Sequence, residues 1–472
     1  MTQTRGKKPL VVMKFGGTSL GNPERVQGAG EIIAAHAKRA EVVAVVSAMG
    51  GVTDMLIRAA TEASKGDREH WRGARQELAR KHREVADRLL SASEQATVLP
   101  RLAEQLTNLE NLCSGFSLVR EVTPRAMDTL SSLGEVMSAT LLAAILRSSG
   151  TAAEAVDATE LIVTDNSFGN ASPLLDETNA RTRQRLAPIR RRGAIPVVTG
   201  FRGATRDGVC TTLGRGGSDY SATLVGAALD ADEVWIWTDV DGVMSADPRL
   251  VPGARIIPEI SYREAIELSF FGARVLHPKT IQPVMKKGIP VWIKNSFNPQ
   301  CPGTKIVAVP TDRTPGVKAL TSVSNSDLVT ISGKDTLSFP RLATRVFNGL
   351  HLEDVSTLMV TQSSADNVLC FAIHDTDLPR VKARLGKTFE LEMLHEYVGT
   401  LEVMPKIAIV VAVGENMKGT PGIAGRAFSA LGRKGINIIA IAQGSSELSI
   451  SFAVKSAEVK EAVKAIHEEF EL

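Results

Sequence analysis

Three short apolar segments in the first half of the chain each lead into a glycine-containing turn and then a helical pattern. They are residues 11–15, 41–46 and 209–212, with turns at 16–19, 47–54 and 213–220. Strand, turn and helix in this succession are typical of α/β proteins with a parallel central sheet. Because such proteins bind ligands at the carboxyl ends of their strands, we predict an α/β fold with its ligand site at these turns.

The first turn follows the sequence Lys14-Phe15-Gly16-Gly17-Thr18-Ser19. Gly16 and Gly17 would let backbone N–H groups approach a bound group, as phosphate sites require. Lys14 would add a positive charge at the end of the strand. The segment predicts an anion pocket for phosphoryl groups, and the alternative is a strand and turn with a surface lysine.

The second turn and a later helix offer polar groups for a substrate. Ser47 and Thr53 flank Gly50-Gly51 and are candidate substrate contacts, although both residue types also cap helices. The pattern from Leu130 to Arg147 predicts one helix with Glu135 near its N-terminus. Glu135 would either complement the helix dipole or bind a substrate ammonium group.

The third turn, residues 213–220 (LGRGGSDY), contains three glycines together with charged side chains. The helix that follows would attract an anion at its N-terminus. Arg215 could hold a carboxylate or a phosphate through two parallel hydrogen bonds. Asp219 would position a cation such as Lys14 or act beside a bound Mg²⁺. A purely structural loop rarely needs all these groups, so the turn indicates function.

Residues 238–249 are rich in aspartate but do not form a calcium loop. An EF-hand that starts at Asp239 would need glycine and glutamate where Met244 and Leu250 stand. We interpret the segment as a turn-rich wall of a nucleotide site. The chain has no GxxxxGK[ST] motif, and no GxGxxG motif in a dinucleotide-binding context.

Composition excludes several classes of protein. The net charge is +3 without large blocks of like charge, which argues against nucleic-acid binding. The four cysteines are far apart, which argues against a disulfide framework or a zinc site and favours a reducing cytoplasm. No uninterrupted apolar run is expected to be long enough to cross a membrane, so we expect no membrane partner.

The chain divides into a long catalytic part and a duplicated C-terminal part. Residues 1–306 form the predicted catalytic domain, with a helical insertion at about 65–125, and 307–317 form a linker. In residues 318–472, an offset of 81 residues pairs Gly333 with Gly414, Pro340 with Pro421, Gln362 with Gln443 and Phe347 with Phe428. The repeat predicts two small α/β units, at about 325–395 and 400–472, which often bind ligands where they meet.

Together, these motifs resemble those of aspartate kinase, a member of the amino-acid kinase superfamily. The resemblance rests on residues 14–19, 212–220, 237–243 and 271–278, in this order, and covers nearly the whole chain. It implies a three-layer sandwich with a mostly parallel central sheet, followed by two ferredoxin-like ACT domains. It also implies ATP-dependent phosphorylation of the L-aspartate side-chain carboxylate to 4-phospho-L-aspartate, the first step toward lysine, threonine and methionine.

The resemblance also assigns roles to individual residues. Lys14 and Asp219 would be catalytic, with Lys14 bridging the attacking carboxylate and the transferred phosphoryl group. Arg215 would bind the aspartate α-carboxylate and Glu135 the α-ammonium, while Ser47 and Thr53 complete the pocket. Mg²⁺ would arrive with ATP rather than on protein side chains. The groups expected to contact the nucleotide are Lys14, Gly16, Gly17, Gly216, Gly217, Ser218, Thr238, Asp239, Asp247, Arg249 and Arg274.

The chain departs from the family pattern in several places. Met244 stands where tyrosine is common and Arg274 where lysine is common. Arg341 and Ser363 of the first ACT unit stand opposite Gly422 and Gly444 of the second. The residues expected to bind an effector are Gln362, Gln443 and Asn437, and the paired glutamines favour inhibition by threonine over lysine.

The resemblance implies a homodimer or tetramer that assembles through the ACT units. The chain is expected to lack the homoserine dehydrogenase module of bifunctional relatives. One rival interpretation is a sister kinase acting on glutamate, acetylglutamate, carbamate or UMP. Another is a non-catalytic amino-acid sensor, against which Lys14, Arg215 and Asp219 argue.

Overall fold

The computed structural model describes residues 8–272, 276–333, 338–363, 367–395, 397–398 and 401–472. The chain forms two compact units. The first contains the described residues within Met1–Val243, Pro258–Tyr262 and Leu276–Pro310. The second contains those within Met244–Ile257, Arg263–Val275 and Thr311–Leu472. Two short segments of the catalytic half of the sequence therefore belong to the second unit, and the predicted domain bounds stay predictions.

The first unit is built on an eight-stranded sheet in the order β3-β4-β2-β1-β7-β9-β10-β8, with a separate β5–β6 hairpin. Neighbouring strands are parallel except for the antiparallel pair β9–β10. The strands are β1 (Leu10–Phe15), β2 (Glu41–Val46), β3 (Ala153–Val156), β4 (Ile195–Thr199), β5 (Arg202–Ala204), β6 (Cys210–Thr212), β7 (Glu233–Thr238), β8 (Glu259–Ser261), β9 (Val291–Asn295) and β10 (Thr304–Val307).

Helices cover both faces of this sheet, so the unit has three layers. Helices α1 and α6 pack on one face and α7 and α8 on the other. The helices of this half of the sequence are α1 (Pro23–Ala37), α2 (Val52–Lys65), α3 (Arg68–Leu89), α4 (Ala92–Val119), α5 (Pro124–Ser131), α6 (Leu133–Ser148), α7 (Leu175–Arg191), α8 (Gly217–Ala228), α9 (Tyr262–Phe270) and α10 (Pro278–Met285). The central strand β1 is buried along its whole length, as parallel strands with two covered faces are.

One helical stretch is more apolar than expected from the sequence, where no apolar run long enough to cross a membrane was predicted. Pro124–Ser148, which contains α5 and α6, is long and apolar enough to cross a bilayer. The structure buries 83 % of its apolar window inside the fold. Its hydrophobicity is therefore explained by packing, as in other helices that are apolar on all sides.

The second unit contains a six-stranded sheet in the order β12-β13-β11-β14-β16-β15. Adjacent strands in this sheet are antiparallel. Its elements are β11 (Ala319–Ser332), α11 (Phe339–Leu352), β12 (Met359–Ser363), β13 (Val368–His374), α12 (Leu378–Thr388), α13 (Glu390–Leu394), β14 (Glu402–Val413), α14 (Ile423–Arg433), β15 (Ala440–Gln443), β16 (Ser449–Lys455) and α15 (Val459–Glu469).

The structure repeats with the same offset as the sequence. Strands β13 and β16, and helices α12 and α15, begin and end 81 residues apart. Asn325 and Lys406, also 81 residues apart, have φ of 58° and 59° at the irregularity in the β11–β14 pairing. The first half of β11 pairs with the second half of β14, and the second half of β11 pairs with the first half of β14. Each half-sheet therefore takes one strand from the other repeat, which sequence similarity alone does not reveal. The predicted fold class is confirmed.

Candidate active site

The first unit has a cavity of about 380 Å³. It lies where β1 and β2 end and α2, α6 and α8 begin. Most of the residues predicted to bind substrate or phosphate line it, although they come from distant parts of the chain. These residues are Lys14, Gly17, Ser47, Thr53, Glu135, Arg215, Gly216, Gly217, Ser218 and Asp219.

Lys14 and Asp219 form an ion pair at the base of the cavity. Lys14 Nζ lies 2.6 Å from Asp219 Oδ1, and their side chains are only 10 % and 18 % exposed. Lys14 comes from the end of β1, and Asp219 from the first turn of α8. Since low exposure strengthens the attraction between charges, Asp219 fixes the lysine ammonium beside the cavity. This is one of the two arrangements that the sequence left open for Asp219.

Glu135 places a buried acid in the wall of the cavity. It is 3 % exposed, and its Oε2 has no hydrogen-bond partner among the described residues. Burial raises the pKa of the Glu135 carboxyl to about 8, although the backbone N–H of Ala48 and the charge of Arg202 favour the ionised form. A buried carboxyl with one unpaired oxygen has a strong preference for a cationic partner, because its charged form is otherwise poorly solvated.

The helix predicted from Leu130 to Arg147 is present as α6, Leu133–Ser148, with Glu135 in its first turn as predicted. Its N-terminal bound is corrected, because Leu130 and Ser131 belong to α5 and the two helices are separated at Ser132. Ser132 Oγ donates to the carbonyl of Asp128 at 2.8 Å, which satisfies that group at the break. A Cβ on Gly134 would lie 2.7 Å from the side chains of Ala48 and Val52. Glycine there lets α6 pack close to the second turn.

Arg215 is exposed and makes no hydrogen bond or ion pair with any residue that the structure describes. It follows Gly214 and precedes Gly216, whose φ values are 75° and 72°. Residues that carry a side chain rarely adopt this left-handed backbone conformation, so glycine is required on both sides of the arginine. The turn thus presents a guanidinium to the cavity without pairing it inside the protein.

The backbone amides of the two glycine turns do not all remain available for phosphate. Gly16 N–H donates to the carbonyl of Trp237 at 3.2 Å, and Gly217 N–H to that of Gly214 at 3.0 Å. The expectation that these two amides bind phosphate is therefore corrected, because both are already used. The N–H groups of Gly17, Gly216 and Ser218 make no such bond within the described chain.

Sequence reasoning missed Asp128, which ties the third turn to the fold. This carboxylate is 2 % exposed. It accepts hydrogen bonds from Thr212 N–H at 2.9 Å, Thr212 Oγ1 at 2.7 Å and Gly169 N–H at 2.9 Å. Asp128 was hidden inside a helical pattern, and only its buried position identifies its role.

Two further residues in the cavity wall were also missed. Phe201 has φ of 67°, an unusual value for an aromatic residue, and its N–H donates to Ser221 Oγ at 3.0 Å. A Cβ on Gly217 would lie 2.7 Å from Phe201 Cδ2. Asp54 lines the cavity one residue after Thr53 and is exposed. The position of Asp54 beside Thr53 could have identified it as a candidate residue of the cavity wall. No sequence signal predicts the unusual backbone conformation of Phe201.

Five of the described residues predicted to contact the nucleotide do not line this cavity: Gly16, Thr238, Asp239, Asp247 and Arg249. Thr238 and Asp239 follow β7, which neighbours β1, and Thr238 Oγ1 donates to Asp239 Oδ1 at 3.2 Å. Asp247 and Arg249 belong to the second compact unit and pair with each other at 2.6 Å. Arg274 lies outside the described residues. Their nucleotide contacts remain predictions.

The second unit has a cavity of about 430 Å³ that Gln443 lines together with Gly422 and Glu447. Gln362 lies exposed on β12, and Asn437 is exposed but does not line this cavity. Within the described residues, no group of three or more His, Cys, Asp or Glu side chains is arranged to hold a metal ion.

Comparison with known proteins agrees with this architecture. A sequence model described as the amino acid kinase family matches residues 9–295, and an ACT domain model matches residues 410–470. Aspartokinase 3, chloroplastic, of Arabidopsis thaliana is 34 % identical, over 98 % of this chain and 82 % of its own length.

Two further similarities extend over 98 % of the chain. The first is to bifunctional aspartokinase/homoserine dehydrogenase 1, chloroplastic, of Arabidopsis thaliana, at 35 % identity over 51 % of that protein. The chain thus spans about half the length of such curated relatives. The second is to the crystal structure of E. coli aspartokinase III in complex with aspartate and ADP (R-state), with a TM-score of 0.82, 28 % identity and full coverage of that chain.

Proposed function

The chain belongs to the aspartokinases of the amino acid kinase family, and we propose that it transfers the γ-phosphoryl group of ATP to the side-chain carboxylate of L-aspartate. The observation that carries the proposal is the cavity in which Lys14, Glu135 and Arg215 meet. The two basic groups and the acid match the two carboxylates and the ammonium of aspartate.

The reaction brings an anionic nucleophile toward an anionic phosphate. An aspartate carboxylate has no proton to lose, so the protein needs no general base. Its tasks are to align the two groups and to neutralise their charge. Lys14, held by Asp219 at 2.6 Å, lies between them, and the N–H groups of Gly17 and Gly216 face developing charge on the phosphoryl oxygens.

Substrate orientation follows from the remaining polar groups. Glu135 binds the α-ammonium, Arg215 binds the α-carboxylate, and Ser47 and Thr53 contact the rest of the substrate. Bound Mg²⁺ supplies positive charge to the phosphate oxygens of ATP. ADP in a solved relative supports the use of this nucleotide, and the chain's own nucleotide contacts are assigned to Thr238, Asp239, Asp247, Arg249 and Arg274.

Trapping with hydroxylamine tests the activity. The full chain, ATP, Mg²⁺ and L-aspartate yield the hydroxamate of the side-chain carboxyl group, whereas L-glutamate yields none. Hydroxamate from glutamate but not from aspartate would show that the chain is a different amino-acid kinase. Absence of product from both substrates would instead favour a non-catalytic sensor.

The second function that we propose is feedback inhibition by threonine at the ACT units. Support comes from Gln443 in the wall of the second unit's cavity and from its repeat counterpart Gln362. Asn437 is assigned to the same function. Threonine then inhibits the wild type, and Gln443→Ala reduces the inhibition. Inhibition by lysine, with no response to threonine, would contradict this assignment.

Assembly and location complete the proposal. We infer a homodimer or tetramer formed through the ACT units, in the reducing cytoplasm, where the four free cysteines stay reduced. Light scattering in the presence and absence of threonine measures the assembly, and a monomer at micromolar concentration would contradict it.

A further inference from the structure

A second polar cavity of about 430 Å³ lies in the first compact unit, beside the substrate cavity. The first turn of α6 separates the two. Leu133 and Val136 line the second cavity, while Glu135 lines the substrate cavity. We propose that this second cavity binds a small carboxylate, such as a small amino or hydroxy acid, with the guanidinium of Arg202 as its anchor.

Arg202 is a buried cation with too few acceptors. It is 9 % exposed, and its Nε lies 3.3 Å from Asp157 Oδ1 without making a hydrogen bond. Among the described residues, its Nη2 donates a hydrogen bond only to Cys210 Sγ, at 3.5 Å. A guanidinium has five N–H donors, and sulfur accepts hydrogen bonds weakly. Because buried polar groups normally find strong partners, an acceptor that enters the cavity stabilises this side chain.

Asp157 does not supply all the hydrogen-bond acceptors that the Arg202 guanidinium lacks. Its Oδ1 already accepts a hydrogen bond from Thr159 N–H at 2.9 Å, where it caps a short helical turn. The same oxygen is the one nearest to Arg202. A ligand carboxylate can form the two parallel hydrogen bonds with Arg202 that Asp157 does not form. An ammonium on the same ligand would find the Asp157 carboxylate close by.

The opposite wall supplies uncharged hydrogen-bonding groups. Gln105, Asn108 and Asn111 follow each other at intervals of three residues on α4, so they share one face of that helix. Their side chains form no hydrogen bond with any residue in the part of the chain that the structure describes. Each carboxamide can donate and accept, which suits a ligand with a carboxylate and further polar groups.

The position of Arg202 links this cavity to the substrate cavity. Arg202 directly follows Phe201, which lines the substrate cavity, and its positive charge favours the ionised form of Glu135. A bound carboxylate adds negative charge beside Arg202, so Glu135 holds its proton more tightly and binds an ammonium less well. The ligand therefore weakens aspartate binding, and aspartate weakens ligand binding by the same factor. This consequence, unlike the binding itself, rests on the proposed function.

Fluorine NMR of trifluoroacetate, a small carboxylate, tests the site in the full chain. We expect the wild-type chain to broaden the fluorine line of trifluoroacetate, because the bound probe tumbles with the protein. Asn108→Asp places a negative charge in the cavity wall and should weaken binding about tenfold, because that charge repels the carboxylate of the ligand. Thr107→Asp adds the same charge at an exposed neighbouring position on α4 that does not line the cavity, and serves as the matched control. Arg215→Ala removes a cation from the substrate cavity only.

The proposal predicts broadening that survives in Thr107→Asp and Arg215→Ala and is lost in Asn108→Asp. Absence of line broadening with the wild type overturns the proposal. Loss of broadening in Arg215→Ala also overturns it, as does an equal loss in Asn108→Asp and Thr107→Asp. In activity assays, trifluoroacetate should raise the KM for aspartate in the wild type and not in Asn108→Asp. The NMR result stands even if the chain does not phosphorylate aspartate, so the two proposals can fail separately.

Discussion

At the scale of single residues, the Lys14–Asp219 ion pair makes the most specific prediction. Lys14→Met should lower kcat at least about a thousandfold, because it removes the cation that Asp219 holds beside the cavity to neutralise the transferred phosphoryl group. It should also lower the free energy of unfolding, since it leaves Asp219 without its cation in a mostly buried position.

The double variant Lys14→Met/Asp219→Asn separates these two effects. It removes both charges, so urea unfolding should return toward the wild-type midpoint while turnover stays absent. Near-normal turnover in Lys14→Met would refute the role of this charge. Full stability in the single variant would show that the ion pair contributes little to folding.

Unlike Lys14, Glu135 is expected to serve substrate binding while it lowers the stability of the fold. Its pKa in the folded chain, about 8, lies above the ordinary value of 4.5. Between these values the folded state holds a proton that the unfolded chain releases, so the free energy of unfolding falls as pH rises through this window. Glu135→Gln should therefore gain stability relative to the wild type between about pH 5 and about pH 9.

Urea unfolding of the wild type and Glu135→Gln at several pH values measures this difference. The same ionisation predicts that the KM for aspartate falls as pH rises toward about 8, because the ammonium binds the ionised carboxylate. A stability difference that does not change with pH would contradict the assignment of the buried proton to Glu135.

At the scale of elements, the glycine turn before α8 depends on close packing. Gly217→Ala would place a Cβ 2.7 Å from Phe201 Cδ2, so it should displace the turn and lower kcat/KM for aspartate. Gly115→Ala is the matched control, because its Cβ meets nothing within 4 Å and it lies inside α4. That change should stabilise the chain by about 0.5–1 kcal/mol without altering activity. Equal activity of the two variants would contradict the close packing.

Asp128 makes a second prediction about how elements are held together. Asp128→Ala leaves the N–H groups of Thr212 and Gly169 without an acceptor and should cost about 3 kcal/mol of unfolding free energy. Asp165→Ala, which loses two hydrogen bonds at a half-buried position, should cost only about 1 kcal/mol. Equal costs in denaturant unfolding would show that burial of Asp128 is unimportant.

The sequence predicted strands and turns better than it predicted backbone detail. The second strand was predicted at Glu41–Val46, where the structure has it, because an apolar run bounded by turn residues has few alternatives. The predicted helix bound at Leu130 is too early, because α5 continues to Ser131 and α6 begins at Leu133. Phe201 was missed because its left-handed backbone is imposed by the packing around it, not by local preference.

At the scale of the whole molecule, the second unit includes segments from the catalytic half of the sequence. Ala246 and Val251 are buried in the same hydrophobic cluster as Phe452 and Ile466. Leu320 N–H donates to the carbonyl of Ser245 at 2.7 Å. The 81-residue repeat was visible in the sequence, whereas this mixing of segments required the structure, because contacts between distant residues leave no local pattern.

A chain cut after Pro310 should therefore aggregate rather than fold as a separate kinase. Truncation would expose Ala246 and Val251, which residues 311–472 cover in the full chain. Solubility, light scattering and thermal unfolding of residues 1–310 against the full chain measure this. A soluble fragment with the thermal stability and turnover of the full chain would contradict it.

The most direct test of the whole account follows an oxygen atom through the reaction. Aspartate labelled with heavy oxygen in its side-chain carboxylate is incubated with the full chain, ATP, Mg²⁺ and hydroxylamine. If the carboxylate attacks the γ-phosphorus, hydroxylamine later attacks the acyl carbon and releases phosphate that keeps one labelled oxygen. Mass spectrometry of the phosphate should detect that atom. Phosphate released without the label would mean that water attacked ATP, which would contradict the account.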